Sequence, residues 1–182
     1  ALTGGHAQGT RPLGGVEVVQ VTQVGWHRAL GRHGLRLLLI GAWLQSKGLV
    51  KGDRVAVMTP NILQNPVAVY GILRAGMIVV PVIWRLAPAE IEYILKDCDA
   101  SALFVEPLFK GQPFDGPRTI VDERFDAWRD AQSDAAVTTP VDRGDVFLML
   151  YTSGTTGMPK GVMLTHRNAT VLRPIVQETG LG

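Results

Sequence analysis

Apolar and polar positions from Leu37 onward switch between a helical and an extended period, and that switching predicts the architecture. Leu37 to Ser46 is an apolar helical run ended by Gly48, Lys51-Gly52-Asp53 makes a turn, and Arg54 to Met58 supplies a short strand. Pro60-Asn61 opens a second helix. Asn61 is placed to cap it, apolar positions Ile62, Leu63, Val67, Tyr70, Ile72 and Leu73 carry it to about Ala75, and Gly76 closes it. Ile78 to Ile83 reads as a buried strand. Pro88 sits where a first helical turn accepts proline, and Ile91, Ile94 and Leu95 form the stripe of a helix over Ala89 to Asp97. Ala102 to Val105 is the next strand.

Strand and helix alternating at this spacing predict right-handed crossovers, hence an α/β fold with a partial parallel sheet and helices covering both faces. After Glu106 the chain is rich in Pro and Gly as far as Pro117. It then offers a short strand at Thr119 to Val121, a polar helical piece near Arg124 to Ala131, and a linker over residues 132–144. The apolar run Val146 to Leu150 reads as a buried strand and Gly161 to Leu164 as another, so the segment near the C-terminus is strand, loop, strand. Residues 1–36 are interrupted by glycine throughout and receive no assignment, although Val16 to Val24 can form a strand. Arg28, Arg32 and Arg36 would share one helical face, weakened by about 1 kcal/mol at each of Gly31 and Gly34. That face reads as solvated, with a membrane-surface role as the alternative.

Composition narrows the function classes. With 182 residues, 46% hydrophobic and 19% charged, the chain is globular and amounts to one domain or part of one. A net charge of +2 on scattered basic residues gives no support for nucleic-acid binding, while small anions stay compatible. The lone Cys98 cannot form an internal disulfide, and His6, His27, His33 and His166 lie too far apart in sequence to suggest a metal cluster. A reducing, cytoplasmic setting is the expectation. Cys98 itself reads as a small residue near a helix end rather than a nucleophile, because nothing electropositive adjoins it. No signal-peptide pattern is present, and the longest apolar run, Leu37 to Leu44, falls short of the roughly 20 residues a bilayer span needs.

The chemistry concentrates in residues 151–162, YTSGTTGMPKGV. Gly154, Gly157 and Gly161 let backbone N–H groups converge on a ligand, the hydroxyls from Thr152 to Thr156 add donors, and Lys160 adds a compact positive charge. Such a loop suits a pyrophosphate. Its spacing, G-x-x-G-x-x-K, matches neither the P-loop nor the dinucleotide fingerprint, and Pro159 makes a continuous helix through it unfavourable. The competing reading is a solvated Gly/Thr hairpin loop without a ligand.

The longer stretch YTSGTTGMPKGVMLTHRN, residues 151–168, resembles the phosphate-binding motif of the adenylate-forming (AMP-binding) superfamily: acyl-CoA synthetases, aryl-CoA ligases, luciferases and peptide-synthetase adenylation domains. AWLQSKGLVKGDRVAVMTPNILQNPVAVYGILRAGMIVVPV, residues 42–82, is similar to bacterial long-chain fatty acyl-CoA ligases, and WRLAPAEIEYILKD, residues 84–97, to the segment that follows it there. The resemblance covers about residues 37–170. It departs at Ile83, where such relatives usually carry Asn, and in residues 1–36, where they begin a helix containing Tyr. Trp84 and Arg85 read as structural.

The resemblance implies a two-step reaction. A fatty acid carboxylate attacks the α-phosphate of ATP to give acyl-AMP and pyrophosphate, and coenzyme A then displaces AMP. Thr152, Ser153, Gly154, Thr155, Thr156 and Gly157 would cradle the β- and γ-phosphates, Lys160 would neutralise them, and Thr152 would place the hydroxyl nearest Mg²⁺. Residues 37–182 would form the first part of the N-terminal core of an AMP-binding domain. The groups that hold adenine and ribose, and the catalytic lysine, would lie beyond Gly182, so no catalytic residue is expected within the chain and the 182 residues alone are expected to be inactive. Partners would be the small molecules ATP, fatty acid and coenzyme A, with peripheral membrane contact compatible and the oligomeric state not legible. The alternative is a truncated, non-catalytic nucleotide- or phosphate-binding protein. His166 follows Thr165, a good N-cap, and reads as the start of a helix.

Overall fold

The computed structural model describes residues 32–133, 139–152 and 158–170, with side chains of the first helix from Leu37 onward. In chain order these residues form α1 (Arg32–Ser46), β1 (Arg54–Met58), α2 (Gln64–Arg74), β2 (Ile78–Pro81), α3 (Pro88–Asp97), β3 (Ala100–Val105), a 3₁₀ turn (Pro107–Phe109), β4 (Arg118–Ile120), α4 (Phe125–Asp130), β5 (Val146–Thr152), β6 (Lys160–Thr165) and α5 (His166–Thr170). The six strands make one sheet in the order β4-β3-β1-β2-β5-β6. All neighbouring pairs run parallel except β5 and β6, which form an antiparallel hairpin.

The expected α/β sheet with helices on both faces is present, and the side-chain alternation of each strand shows why. Successive residues of a strand point to opposite faces. Val55, Val57, Val79 and Phe104 therefore pack on one side with Ile40, Trp43, Leu44 and Ile72 of α1 and α2 and Phe125 of α4. Ala56, Met58, Val80, Leu103 and Val105 pack on the other with Ile91, Ile94 and Leu95 of α3. Around Trp43, edge-on contacts to Phe104 at 5.6 Å and to Trp128 at 5.1 Å tie α1 and α4 to the sheet. Gly71 lets α2 approach α1: a Cβ built there would lie 2.6 Å from Ile40 Cβ.

Several boundaries differ from expectation for identifiable reasons. Asn61 does not cap α2, which begins at Gln64 after Leu63 with no side-chain cap. Pro66 sets this start, because a proline lacks the N–H that a deeper helical position would need and belongs in the first turn. Asn65 turns back to donate through Nδ2 to Thr59 Oγ1 at 2.7 Å, and Leu63 points to solvent at 88% exposure rather than into the core. α1 starts five residues before Leu37 and runs through Gly34. β2 ends at Pro81 and not Ile83. The hairpin strands are less buried than their apolar runs suggest: β5 is half-buried and most of β6 is exposed, because β6 is the last strand in the sheet order and no described element covers it. The strand expected over Val16 to Val24 and the start of the Arg28, Arg32, Arg36 face lie outside the described residues.

Turn chemistry closes the elements. Asp99, at φ 49°, takes the left-handed conformation that short polar side chains tolerate, and ends α3. Arg54 then fastens β1 beneath that turn, Nε donating to Cys98 O at 2.8 Å and Nη2 to Asp99 O at 2.9 Å. At the other end of α3, Ala87 N donates to Glu90 Oε2 at 2.9 Å, the glutamate half of a capping box. No described helix is long and apolar enough to cross a membrane.

Candidate functional site

Because β1 to β5 are parallel, their carboxyl ends emerge along one edge of the sheet. The order reverses at β1, which has β2 on one side and β3 on the other. Ligands of open parallel sheets bind outside this edge, near such a reversal. While Met149 and Tyr151 stay packed against the core beside α3, β5 leaves the parallel ladder here. Its single backbone pairing with β2 joins Val79 to Leu148, and from Leu148 to Thr152 its ladder partner is β6. The hairpin rungs run Met149↔Met163, Leu150↔Val162, Tyr151↔Gly161 and Thr152↔Lys160.

Of the residues expected to hold phosphate, the structure places two at the mouth of the loop: Thr152 closes β5 and Lys160 opens β6, directly opposite one another and both exposed. Ser153, Gly154, Thr155, Thr156 and Gly157 lie outside the described residues. The expected strand-loop-strand setting is thus present in its two strands. No carboxylate pairs with the Lys160 ammonium among the described residues. A cation on an exposed strand end, with no carboxylate partner among the described residues, is available to an anion. Among the described residues no cluster of His, Cys, Asp or Glu could hold a metal by itself. Thr152 offers one neutral oxygen, which fits Mg²⁺ only as a single contributor to a shell completed by phosphate oxygens and water.

Neighbouring contacts that sequence reasoning did not find brace this hairpin. Tyr151 Oη donates to Asp97 Oδ2 at 2.6 Å, joining β5 to the end of α3, and Tyr93 Oη donates to the other oxygen, Oδ1, at 3.3 Å. Burial, and then the Asp97 carboxylate, hold the Tyr151 phenol well above its ordinary value, so it stays a neutral donor. The Tyr151 ring lies over Gly161, where an added Cβ would meet Cζ at 3.2 Å and Oη at 3.3 Å. At the hairpin base, Asp145 Oδ2 accepts from Lys51 Nζ at 2.7 Å and from Asp142 N at 2.6 Å, and these bonds hold its carboxyl below the usual range. His166 N donates to Asp145 O at 3.0 Å and its ring packs on Phe147, with centroids 5.2 Å apart; burial lowers its pKa. Thr165 and Asn168 cap α5 reciprocally, Thr165 N donating to Asn168 Oδ1 at 2.8 Å and Asn168 N to Thr165 Oγ1 at 3.4 Å, as expected of Thr165. The Tyr151–Asp97 and Lys51–Asp145 pairings join positions far apart in sequence, whereas Tyr93–Asp97, Asp142–Asp145 and the Thr165–Asn168 cap are local.

The remaining residues singled out from sequence are structural in their surroundings. Cys98 is buried behind α3, and burial pushes its thiol up to about 11. Trp84 packs against Phe109 at 6.0 Å, and the Arg85 guanidinium sits 4.8 Å over the Trp84 ring. The turn at Ile83 closes without an asparagine, Leu86 N donating to Ile83 O at 3.2 Å.

The family of AMP-binding enzymes matches residues 35–178. The chain is 36% identical over 151 residues to the fatty acid–[acyl-carrier-protein] ligase ScoC of Streptomyces coeruleorubidus, covering 76% of this chain and 28% of that protein. It is 34% identical over 164 residues to the long-chain-fatty-acid–CoA ligase of Salmonella typhimurium, covering 68% and 29%. Among solved structures, the anthranilate CoA ligase AuaEII in complex with anthranoyl-AMP superposes with a TM-score of 0.66 at 26% identity, covering 77% of this chain and 30% of that one. The chain therefore spans between a quarter and a third of the length of these relatives.

Proposed function

The chain belongs to the family of AMP-binding enzymes, and from that premise we propose that it supplies the triphosphate-binding part of an ATP-dependent ligase that activates a fatty acid carboxylate. A carboxylate oxygen attacks the α-phosphorus, the bond from that phosphorus to the bridging oxygen breaks, and pyrophosphate leaves with the electron pair. The acyl-AMP formed is then attacked at its carbonyl carbon by the thiol of coenzyme A, which loses its proton as AMP departs. In this reading the chain's own residues do no covalent chemistry. They hold the leaving pyrophosphate in line and balance its charge.

One observation supports the reading most directly: the Thr152–Lys160 rung sets a hydroxyl and an ammonium on either side of the Ser153, Gly154, Thr155, Thr156 and Gly157 segment. Lys160 would neutralise the β- and γ-phosphates, and backbone N–H groups of the glycine-rich segment would cradle them. Mg²⁺, when bound, would offset phosphate charge, with Thr152 contributing one oxygen. Residues 37–182 would form the opening part of the domain's core. The fatty acid and the thiol are read from relatives, of which one is named for an acyl-carrier-protein acceptor and another for CoA. Carboxylate-dependent ATP–pyrophosphate exchange in the full-length protein tests the proposal, using medium- and long-chain fatty acids, aryl acids and amino acids. Exchange with fatty acids is expected; exchange driven only by amino acids would overturn the substrate class. For the 182-residue chain by itself, covering 28% of ScoC, we infer no pyrophosphate release above background. Release from that chain would show that it is catalytically complete.

A further inference from the structure

We propose that Tyr151 is a positioning residue for the triphosphate: its hydroxyl bond to Asp97 and its ring seat on Gly161 fix the direction in which Thr152 and Lys160 present their polar groups. The inference rests on the triphosphate reading of the loop and adds to it a residue that touches no phosphate.

Backbone pairing alone leaves the hairpin tip underdetermined. β5 meets β2 at one rung, Val79↔Leu148, and the following residues to Thr152 are paired only with β6. A two-stranded ribbon is marginal by itself and twists readily. Among the described residues, Tyr151 Oη to Asp97 Oδ2 at 2.6 Å is the one side-chain hydrogen bond between the hairpin beyond Leu148 and the rest of the fold. Its anchor is firm, since α3 is fastened to the sheet through the buried Ile91, Ile94 and Leu95.

The brace sits one residue from each binding group. Tyr151 directly precedes Thr152, and Gly161, its cross-strand partner, directly follows Lys160. Gly161 leaves room for the phenol that crosses it; a methyl there would meet Cζ and Oη at 3.2 and 3.3 Å, so the ring would have to shift by a few tenths of an ångström. An aromatic ring over an edge-strand glycine is a recognised way to pin register in a sheet. Binding groups need to be held within about 0.5 Å of productive geometry, and a bond at the loop's root is placed to hold them so.

The test uses the full-length protein with Tyr151→Phe, Asp97→Ala, Asp97→Asn and Lys160→Ala, measuring KM for ATP, kcat and the thermal midpoint for each. Tyr151→Phe and Asp97→Ala are expected to raise KM for ATP on the order of three- to tenfold, the cost of misplaced binding groups, with little change in midpoint. The double variant should be no worse than either single one, and Asp97→Asn, which still accepts from the phenol, should restore the wild-type KM. Unchanged KM in both single variants while Lys160→Ala still impairs ATP use would overturn the proposal and leave the triphosphate reading standing. Additive losses, or losses matched by an equal fall in midpoint, would also overturn it by reducing Tyr151 to a fold residue. If Lys160→Ala is silent as well, the triphosphate reading fails and the inference falls with it.

Discussion

Thr152 and Lys160 face each other on the last paired rung of the β5–β6 hairpin, so the loop of residues 153–159 starts at a hydroxyl and ends at an ammonium. Lys160 is exposed and removes no apolar surface from water, so Lys160→Ala should cost no more than about 0.5 kcal/mol of stability. A charge-assisted bond to phosphate is worth roughly 1.5 to 3 kcal/mol, and 1.4 kcal/mol is a factor of ten. ATP use in the full-length protein should therefore weaken by about tenfold or more while the thermal midpoint stays put. Calorimetry paired with ATP kinetics decides; a large loss of stability with unchanged ATP affinity would make Lys160 a structural residue.

Gly71→Ala should destabilise the fold even though alanine favours a helix. The helix gain is about 1 kcal/mol, but the added Cβ would lie 2.6 Å from Ile40 Cβ and 2.9 Å from Leu37 O. Both are roots of the neighbouring helix and cannot rotate aside, so α1 and α2 must part, at an overpacking cost of about 1 to 3 kcal/mol. Gly144, where a Cβ meets nothing within 4 Å, is the control. Urea midpoints should fall for Gly71→Ala and stay level for Gly144→Ala; equal midpoints would mean that the helices accommodate the methyl.

The sheet was legible because the strands from Arg54 to Val105 are apolar runs separated by helices with their own stripes, and a covered parallel sheet satisfies both. Helix ends were less so. Asn61 resembles a cap, yet Pro66 downstream decides the register of α2, and the two signals compete in sequence. The runs Val146 to Leu150 and Gly161 to Leu164 carry the apolar character of buried strands, but burial depends on position in the sheet order, and β6 comes last. Thr152 and Lys160 could be found because the motif is contiguous. Tyr151 and Asp97 could not, being 54 positions apart and joined only by the way α3 crosses the sheet.

Cys98 should be inert in the folded protein. It is 3% exposed, and burial raises its thiol to about 11, so only about a thousandth is thiolate at pH 8. A disulfide-exchange reagent at pH 8 should react at least about a hundredfold more slowly with the native chain than with the unfolded one, for which the thiol pKa is about 8.5. Prompt native reaction would show that the end of α3 opens readily.

Acid should weaken the hairpin base in two stages. The His166 ring has a folded pKa lowered by burial, so its contribution is present above about pH 6.5, its ordinary value, and fades as pH drops through the folded one. Asp145 has a lowered pKa, first through the Lys51 hydrogen bond and then through Asp142 N–H; its contribution is present above the ordinary carboxylate value of 3.8 and is lost as pH falls through the folded value. The Lys51–Asp145 pair is about a third exposed, 38% and 31%, so solvent screening limits it to at most about 1 kcal/mol, with the exposed bond from Asp142 N adding at most a similar amount. Asp145→Asn should therefore be less stable than wild type at pH 7, by about 1 to 2 kcal/mol, and that difference should shrink as pH falls below 3.8. His166→Gln should flatten the stage that begins below about pH 6.5 and leave the carboxylate stage intact. Urea midpoints of the three proteins from pH 8 to pH 3 check both stages. A gap between wild type and Asp145→Asn that stays constant through the acid range would mean that the carboxylate does not titrate with folding and that the base of the hairpin is held by packing of Phe147 and His166 instead.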